Sequence, residues 1–378
     1  MSPRGENYRS PSVLYRSLAI MQPGDDTQFG YTDSCMESSR SRPVARRFRG
    51  TAADWDALIA QWPQAGFMQS AAWGVFKRHF GWVPYRMVLP WAGTAPQLAQ
   101  VLVRRVPGSD FTVGYVPRGP LLDYADEAAL AAVIFAQDHL ARRVRAISMT
   151  WELPVEQDPA LAARLQRLGL RPAAPVQHGS TRIVGLTPGI DQLQSTWKPK
   201  WRSNTRLAVR HGLRVRPAAN DADFASWYSL FRQTSARDHF TIRTPEYYHR
   251  FWQQGALAGS TTLLLAWSEE QLLAGILVHR FGSEATYLYG ASAAEGRNMM
   301  PNHLLQWEAM QWAKAGGAVR YDLFGIADTE AEDEPLAGVS RFKAGFGGRA
   351  VRYAGAWERI YHPFLHALIQ RARAGGLG

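Results

Sequence analysis

The chain has 378 residues, 14 of them tryptophan, a single cysteine (Cys35) and a formal net charge of +11 at pH 7. One cysteine excludes an internal disulfide framework and a cysteine-rich metal site, which makes a reducing cytoplasm the expected location. No apolar run is long enough to span a bilayer, and the cationic excess suits an anionic partner: nucleic acid, nucleotide phosphate or an acidic membrane surface.

Residues 1–42 are rich in Ser, Arg, Gly, Asp and Pro, lack periodicity and read as a disordered tail. After the tail, PQLAQVLVRRV, the turn PGSD and FTVGYVPRGPLLD form a strand pair; EAALAAVIFAQDHLARR is a helix and AISMTWELP a strand. Next comes STWKPKWRSNTRLAVRHGLRVR, with seven basic residues and no acid. Lys198, Arg202, Arg206, Arg210 and Arg214 recur at every fourth position, which stacks them along one side of a helix. Pro199 suits its first turn and Gly212 its end. A solvated basic face and a ridge facing a polyanion are both open readings.

The first pattern then returns. QLLAGILVHRF, the turn GSE and ATYLYGAS form a strand pair, NHLLQWEAMQWAKAGG a helix and VRYDLFGI a strand. Tyr115 and Trp151 are 36 positions apart, Tyr289 and Asp322 33, so order and spacing argue for internal duplication. The expected fold class is α/β (α+β), with two lobes: residues 43–190, completed by 356–378, and residues 191–355. A cleft between lobes is a usual place for a ligand.

The unit of hairpin, helix and strand resembles the acetyltransferase (GNAT) fold. That fold binds the coenzyme A pyrophosphate on backbone N–H groups opening the helix. Here the corresponding stretches are LLDYADEAALAAV and SAAEGRNMMPNHLL, which lack the paired small residues, and Pro301 has no N–H to offer. An N-acyltransferase using acyl-CoA on a small amine is the alternative reading.

Five stretches in order resemble the FemABX family of non-ribosomal peptidyltransferases: FMQSAAWGVFKRHFGW (67–82), YVPRGP (115–120), the basic helix, YGASAAEGRNMMPNHLLQWEAMQWAKAGG (289–317) running into YDLFGI, and VSRFKAGFGGRAVRYAGAWE (339–358). No sustained heptads follow the basic helix, so the chain resembles the armless type. The resemblance implies two GNAT-like domains. It implies transfer of an amino acid from aminoacyl-tRNA to the stem-peptide amine of lipid II or a UDP-MurNAc-peptide, building the interpeptide bridge. It further implies a monomer with no cofactor, in the cytoplasm and in peripheral contact with the inner membrane face. The ten histidines show no metal-ligand spacing such as a pair at i and i+4 with an acid, so no metal is expected.

Such a reaction is aminolysis of an ester, and its oxyanion needs a fixed positive or N–H donor. By the resemblance that donor is Lys343, with Phe342 beside it, while Asp322 and Glu152 either orient the amine or cap local backbone. Lys77, one helical turn after Trp73, matches the lysine that meets the nucleotide sugar's phosphates. Arg243 and Tyr247, together with Tyr289, Tyr115 and Arg118, are implied as precursor contacts. Lys198, Arg202, Arg206 and Arg210 are the expected tRNA contacts, since evenly spaced cations follow a phosphate backbone. Each has a plainer reading as an exposed or core residue.

Overall fold

The computed structural model describes residues 45–91, 95–329, 331, 333, 334 and 336–374. The tail and Cys35 lie outside the described residues, as does part of the acidic segment 328–334.

In chain order the strands are β1 (Arg46–Arg47), β2 (Val83–Leu89), β3 (Gln97–Arg105), β4 (Thr112–Val116), β5 (Ala146–Glu152), β6 (Arg171–Ala173), β7 (Ser180–Gly185), β8 (Arg214–Pro217), β9 (Thr261–Ser268), β10 (Gln271–Phe281), β11 (Glu284–Ser292), β12 (Arg320–Ile326), β13 (Arg349–Arg352) and β14 (Ala356–Ile360). They form two seven-stranded sheets, ordered β1-β2-β3-β4-β5-β14-β6 and β13-β7-β12-β11-β10-β9-β8. The first belongs to a unit of residues 45–154, 158–173 and 356–374, the second to a unit of residues 155–157 and 174–355.

Each sheet is built around the same motif. An antiparallel hairpin, β3–β4 or β10–β11, is followed by a helix, Glu127–Arg143 or Pro301–Ala315, and then by a strand parallel to the second hairpin strand. Parallel neighbours require a crossover, and the helix supplies it. The fold is therefore mixed α/β with two GNAT-like domains. Local sequence explains the elements. β3 is buried from Gln97 to Val103, as a central strand covered on both faces should be. The first crossover helix opens where the Asp126 carboxylate accepts the N–H groups of Ala128 and Ala129, and it closes on Arg142 and Arg143 at its negative end.

The division falls at 173/174 instead of the expected 190, because β7 hydrogen-bonds to β12 and β13. Residues 356–374 return to the first unit because β14 inserts between β5 and β6. Arg359 Nε, 2.8 Å from Asp138 Oδ1, ties that strand to the crossover helix.

In the second unit the turn from helix Ala337–Ala344 into β13 depends on Gly348. Its φ is +68°, and a Cβ there would lie 2.2 Å from the Ile183 carbonyl oxygen. Gly348→Ala should cost roughly 2 kcal/mol or more, from left-handed strain plus backbone collision. Gly66→Ala is the control: φ is −127° and a Cβ would meet nothing within 4 Å, so the change should stay within about 0.5 kcal/mol. Denaturant midpoints check the pair, and equal midpoints would refute the account of Gly348.

Candidate active site

The second sheet opens where the first stays closed. β11 and β12 pair only from Glu284–Arg320 to Thr286–Asp322, whereas β4 and β5 pair to Val116–Trp151. Beyond Asp322, β12 carries one residue more than β7, between the pairs Asp322–Ile183 and Gly325–Thr181. Such a bulge bends a strand and re-aims its groups. Asp322 holds it: its Oδ1 accepts the Phe324 N–H at 2.7 Å and the Thr181 hydroxyl. Phe324 sits at φ 60°, a left-handed conformation that such local hydrogen bonding supports.

Lys343 occupies this opening. Its Nζ donates to the carbonyls of Gly325 (2.6 Å) and Phe324 (3.2 Å), and lies 5.5 Å from the centroid of the Tyr287 ring. Burial brings the ammonium down to about 7, against the opposing pull of Asp322. A neutral amine has two N–H groups, which match the two carbonyls, and keeps a lone pair. Burial pushes the Tyr287 hydroxyl up to about 12, so it stays protonated.

Tyr287 was not singled out from sequence. A second bulge, at Leu277/Val278 against β11, breaks the strand's alternation. Tyr287 then packs with the core around Trp197, Leu305 and Phe346, while Tyr289 packs on Phe231 and Tyr248. The missing Cβ of Gly290 leaves room for the Tyr287 hydroxyl, which it would meet at 2.0 Å. The alternation in YLYG would have put both tyrosines on one face.

Phe342 faces the basic helix. Its carbonyl accepts the Trp201 indole N–H at 2.9 Å, and its ring lies edge-on to His303 at 5.2 Å and to Phe346 at 5.1 Å. Trp201 and His303 also escaped the sequence reading. The His303 imidazole is held neutral, at about 4, by burial and by Lys200; its Nε2 lies 3.1 Å from Asn204 Nδ2.

The basic helix spans Pro199–Arg210, buries Asn204, Thr205 and Ala208, and exposes Arg206 and Arg210. Arg202 does not join the exposed ridge. Its Nη1 donates to the carbonyls of Trp197 (2.6 Å) and Ser195 (3.1 Å), closing the end of the preceding helical turn. Arg214 leaves the helix for β8 after Gly212, at φ +72°. Lys198 Nζ lies 5.9 Å from the Trp201 ring. The turn at Gly212 leads directly into β8.

Arg243, Tyr247 and Tyr289 do come together. The Arg243 guanidinium lies 4.8 Å from the Tyr247 ring, and the Arg243 backbone N–H donates to the Tyr248 hydroxyl at 3.0 Å. Tyr248 meets Tyr289 edge-on at 4.8 Å. Burial raises the Tyr289 hydroxyl, while Arg243 pulls it the other way.

The first unit holds its own group. Ser70 caps the helix Ala71–Arg78 by accepting the Trp73 N–H at 3.1 Å. Near that helix's end Lys77 is buried, its Nζ 5.4 Å from the Trp73 ring and 5.9 Å from the Trp82 ring, faces that favour a cation. Trp82 lies 6.2 Å from Tyr115, whose hydroxyl donates to Glu152 Oε2. Arg118 follows at φ 46°. Among the described residues no group of three or more His, Cys, Asp or Glu is placed to hold a metal ion, and no helix is long and apolar enough to cross a membrane.

The opening of helix Pro301–Ala315 is filled with apolar side chains. Met299 and Met300 pack with Ala208, Leu213, Leu273 and Leu304, and proline occupies the first turn. That geometry lacks the bare N–H cradle of an acyl-CoA site.

The chain matches the FemAB family over residues 51–169, 182–256 and 259–373. It belongs to the FemAB family. This FemAB protein is 24% identical to a lipid II:glycine glycyltransferase of Staphylococcus aureus, across 85% of its own length and 94% of that enzyme. The counterpart from strain USA300 is 23% identical over the same shares. Among solved structures, a crystal structure of FemX has a TM-score of 0.77 at 22% identity, covering 86% of this chain and 99% of that one. A tandem GNAT protein from the clavulanic acid biosynthesis pathway has a TM-score of 0.53 at 14% identity, covering 82% and 94%. By class the FemAB protein is an aminoacyltransferase.

The state of Lys343 is testable by linkage. An unfolded lysine titrates near 10.5, so between about pH 7 and 10 the folded state binds fewer protons. Stability contributed at this residue should rise with pH over that window, and the full cost of burying its charge should stand below pH 7. Lys343→Met removes the titration and leaves a constant offset from the two abandoned carbonyls. Its stability relative to wild type should therefore fall as pH rises from 7 to 9. Parallel curves would show that Lys343 titrates normally.

Proposed function

We propose that this FemAB protein transfers an amino acid from aminoacyl-tRNA to the side-chain amine of a peptidoglycan precursor's stem peptide, carried by lipid II or a UDP-MurNAc-peptide, and so builds the interpeptide bridge. The observation that carries the reading is the buried Lys343 in the β11–β12 opening, in a chain whose relatives include lipid II:glycine glycyltransferases.

The acceptor amine attacks the ester carbonyl carbon, a tetrahedral oxyanion forms, and the tRNA ribose oxygen leaves as the amide forms. At about 7, Lys343 populates both forms near neutral pH, which suits a group that takes and returns a proton. Its lone pair accepts the proton from the attacking amine. The resulting buried ammonium stabilises the oxyanion, and the proton passes to the leaving ribose oxygen. Asp322 acts at one remove, by holding the bulge that fixes the two carbonyls. Phe342 packs beside the reacting ester.

The acceptor contacts in this reading are Arg243, Tyr247 and Tyr289 in the second unit, and Lys77, Tyr115, Arg118 and Glu152 in the first. The tRNA lies along Lys198, Arg206 and Arg210, with Arg202 bracing the start of their helix. The protein works as a monomer at the inner membrane face.

Lys343→Ala should lower turnover by about 10²–10³-fold and change the acceptor KM far less, because the charge it meets exists mainly in the transition state. Steady-state kinetics with aminoacyl-tRNA check this, and turnover within threefold of wild type would end the assignment.

The double variant Arg206→Gln and Arg210→Gln should weaken tRNA binding and flatten its log–log salt dependence by up to about two units. Amino-acid preference should hold, since phosphate contacts position without discriminating. An unchanged salt slope would remove tRNA from this helix.

A further inference from the structure

The first unit carries a surface that the transfer chemistry does not use. The C-terminal helix Pro363–Ala374 follows β14. Along β14, side chains alternate between faces of the sheet: Arg359 reaches Asp138 on the crossover helix, and Glu358 reaches His366 on the C-terminal helix. Glu358, Arg171 and buried His366 form one network, with Arg171 Nε 3.2 Å and His366 Nε2 3.0 Å from the carboxylate. This polar seam joins the half-buried Leu365 and Ile369, which lie on the His366 side of the helix, in holding it to the sheet.

Two of its apolar residues nevertheless face outward. Phe364 is 74% exposed and Leu368 46% exposed; they lie one turn apart, and Arg371, one further turn along at i+3 from Leu368, is exposed on the same side. The helix contains no acid. At the end of the sheet from which it starts, the Arg145 guanidinium lies 5.0 Å from the Phe111 ring, which meets exposed His362 edge-on at 5.0 Å; Arg145 and Arg105 share the one acid Asp110, so a cationic excess remains there. Register explains this grouping: Thr112 pairs with Ala146, and the Tyr361 N–H donates to the Ile147 carbonyl at 2.9 Å. Exposed aromatic and aliphatic side chains rimmed by cations match the two halves of an anionic bilayer interface, acyl chains below and phosphates above.

We propose that this face of the C-terminal helix, led by Phe364 and Leu368 with Arg371 and Arg145 at its rim, seats the protein on an anionic phospholipid surface. The inference deepens the reading of a lipid-linked acceptor by naming the surface that meets the membrane, and it is tested without acceptor or tRNA. The full chain is sedimented with phosphatidylcholine vesicles containing phosphatidylglycerol, and with phosphatidylcholine vesicles alone. Wild type should partition onto the anionic vesicles, and less so as salt rises. Phe364→Glu with Leu368→Glu should lower partitioning at least about tenfold, and Arg371→Gln about fivefold. Turnover on a soluble UDP-linked acceptor should be unchanged in both, while KM for the same stem peptide on vesicle-borne lipid should rise. If the double variant melts early, Phe364→Ser, at the most exposed of these positions, replaces it, with an expected loss of about threefold or more.

Wild type that ignores lipid charge, or variants that partition like wild type, would overturn the proposal. So would variants that lose tRNA binding or self-association and keep their vesicle binding, which would give the face to nucleic acid or to a second copy. Failure of the transferase reading would appear as absent turnover with vesicle binding intact, so the two are separable.

Discussion

The Asp322 carboxylate, by accepting both the Phe324 N–H and the Thr181 hydroxyl, holds one extra residue in β12 and decides where two carbonyls point. Everything distinctive about Lys343 follows from that. Without the bulge, the Phe324 and Gly325 carbonyls would lie in the ladder direction, and a buried ammonium would have no fixed acceptors. With it, the amine is held by two short contacts in an apolar setting that lowers its affinity for a proton. The close-packed Tyr287 ring completes the pocket wall, and Gly290 and Gly348 are small because backbone or a side chain occupies the space a Cβ would need.

The two units show how one frame yields different chemistry. Hairpin, crossover helix and parallel strand recur with nearly the same spacing. In the first unit β4 and β5 remain paired, and the Tyr115–Glu152 hydrogen bond sits at the end of a closed ladder. In the second, pairing stops after Thr286–Asp322, and a lysine from another helix enters the opening. The acids where the two parallel pairings stop, Glu152 and Asp322, share a place in the pattern and differ in role: one accepts a tyrosine hydroxyl, the other organises backbone. The crossover helices differ too. The second opens on apolar packing around Met299 and Met300 instead of on bare N–H groups, which moves this site away from nucleotide-phosphate chemistry at that position.

Charge is placed with similar economy. The basic stretch reads as one ridge in sequence, but its cations divide between tasks. Arg202 closes backbone carbonyls, Arg216 pairs with Asp223 through two contacts of 2.6 and 2.8 Å, and Arg206 and Arg210 remain exposed on the helix. Repulsion along the stretch is thus eased at Arg202 and Arg216 by acceptors close by in sequence. At the other end of the chain, a polar seam through Glu358, Arg171 and His366 fixes a helix that leaves Phe364 exposed.

Periodicity and turn residues in the sequence determined the duplicated strand–helix–strand frame, the extent of the basic helix and its stop at Gly212, because these depend on interactions within a few residues. Ordered motifs also pointed to Phe342–Lys343 and to the Arg243–Tyr247 pair. The boundary near 173 was not legible, since β7 reads as a strand whichever sheet it joins, and only its pairing with β12 assigns it. Nor was the separation of Tyr287 from Tyr289, because a single bulged residue inverts the alternation on which a facing argument rests. Arg202 looked like its neighbours in the ridge until the preceding turn supplied carbonyls within reach. The protonation state of Lys343 is the clearest case: a lysine in RFKAGFGG titrates normally in an extended chain, and only burial among Tyr287, Asp322 and two carbonyls far from it in sequence lowers it, because desolvation belongs to the packed interior and not to any local stretch of residues.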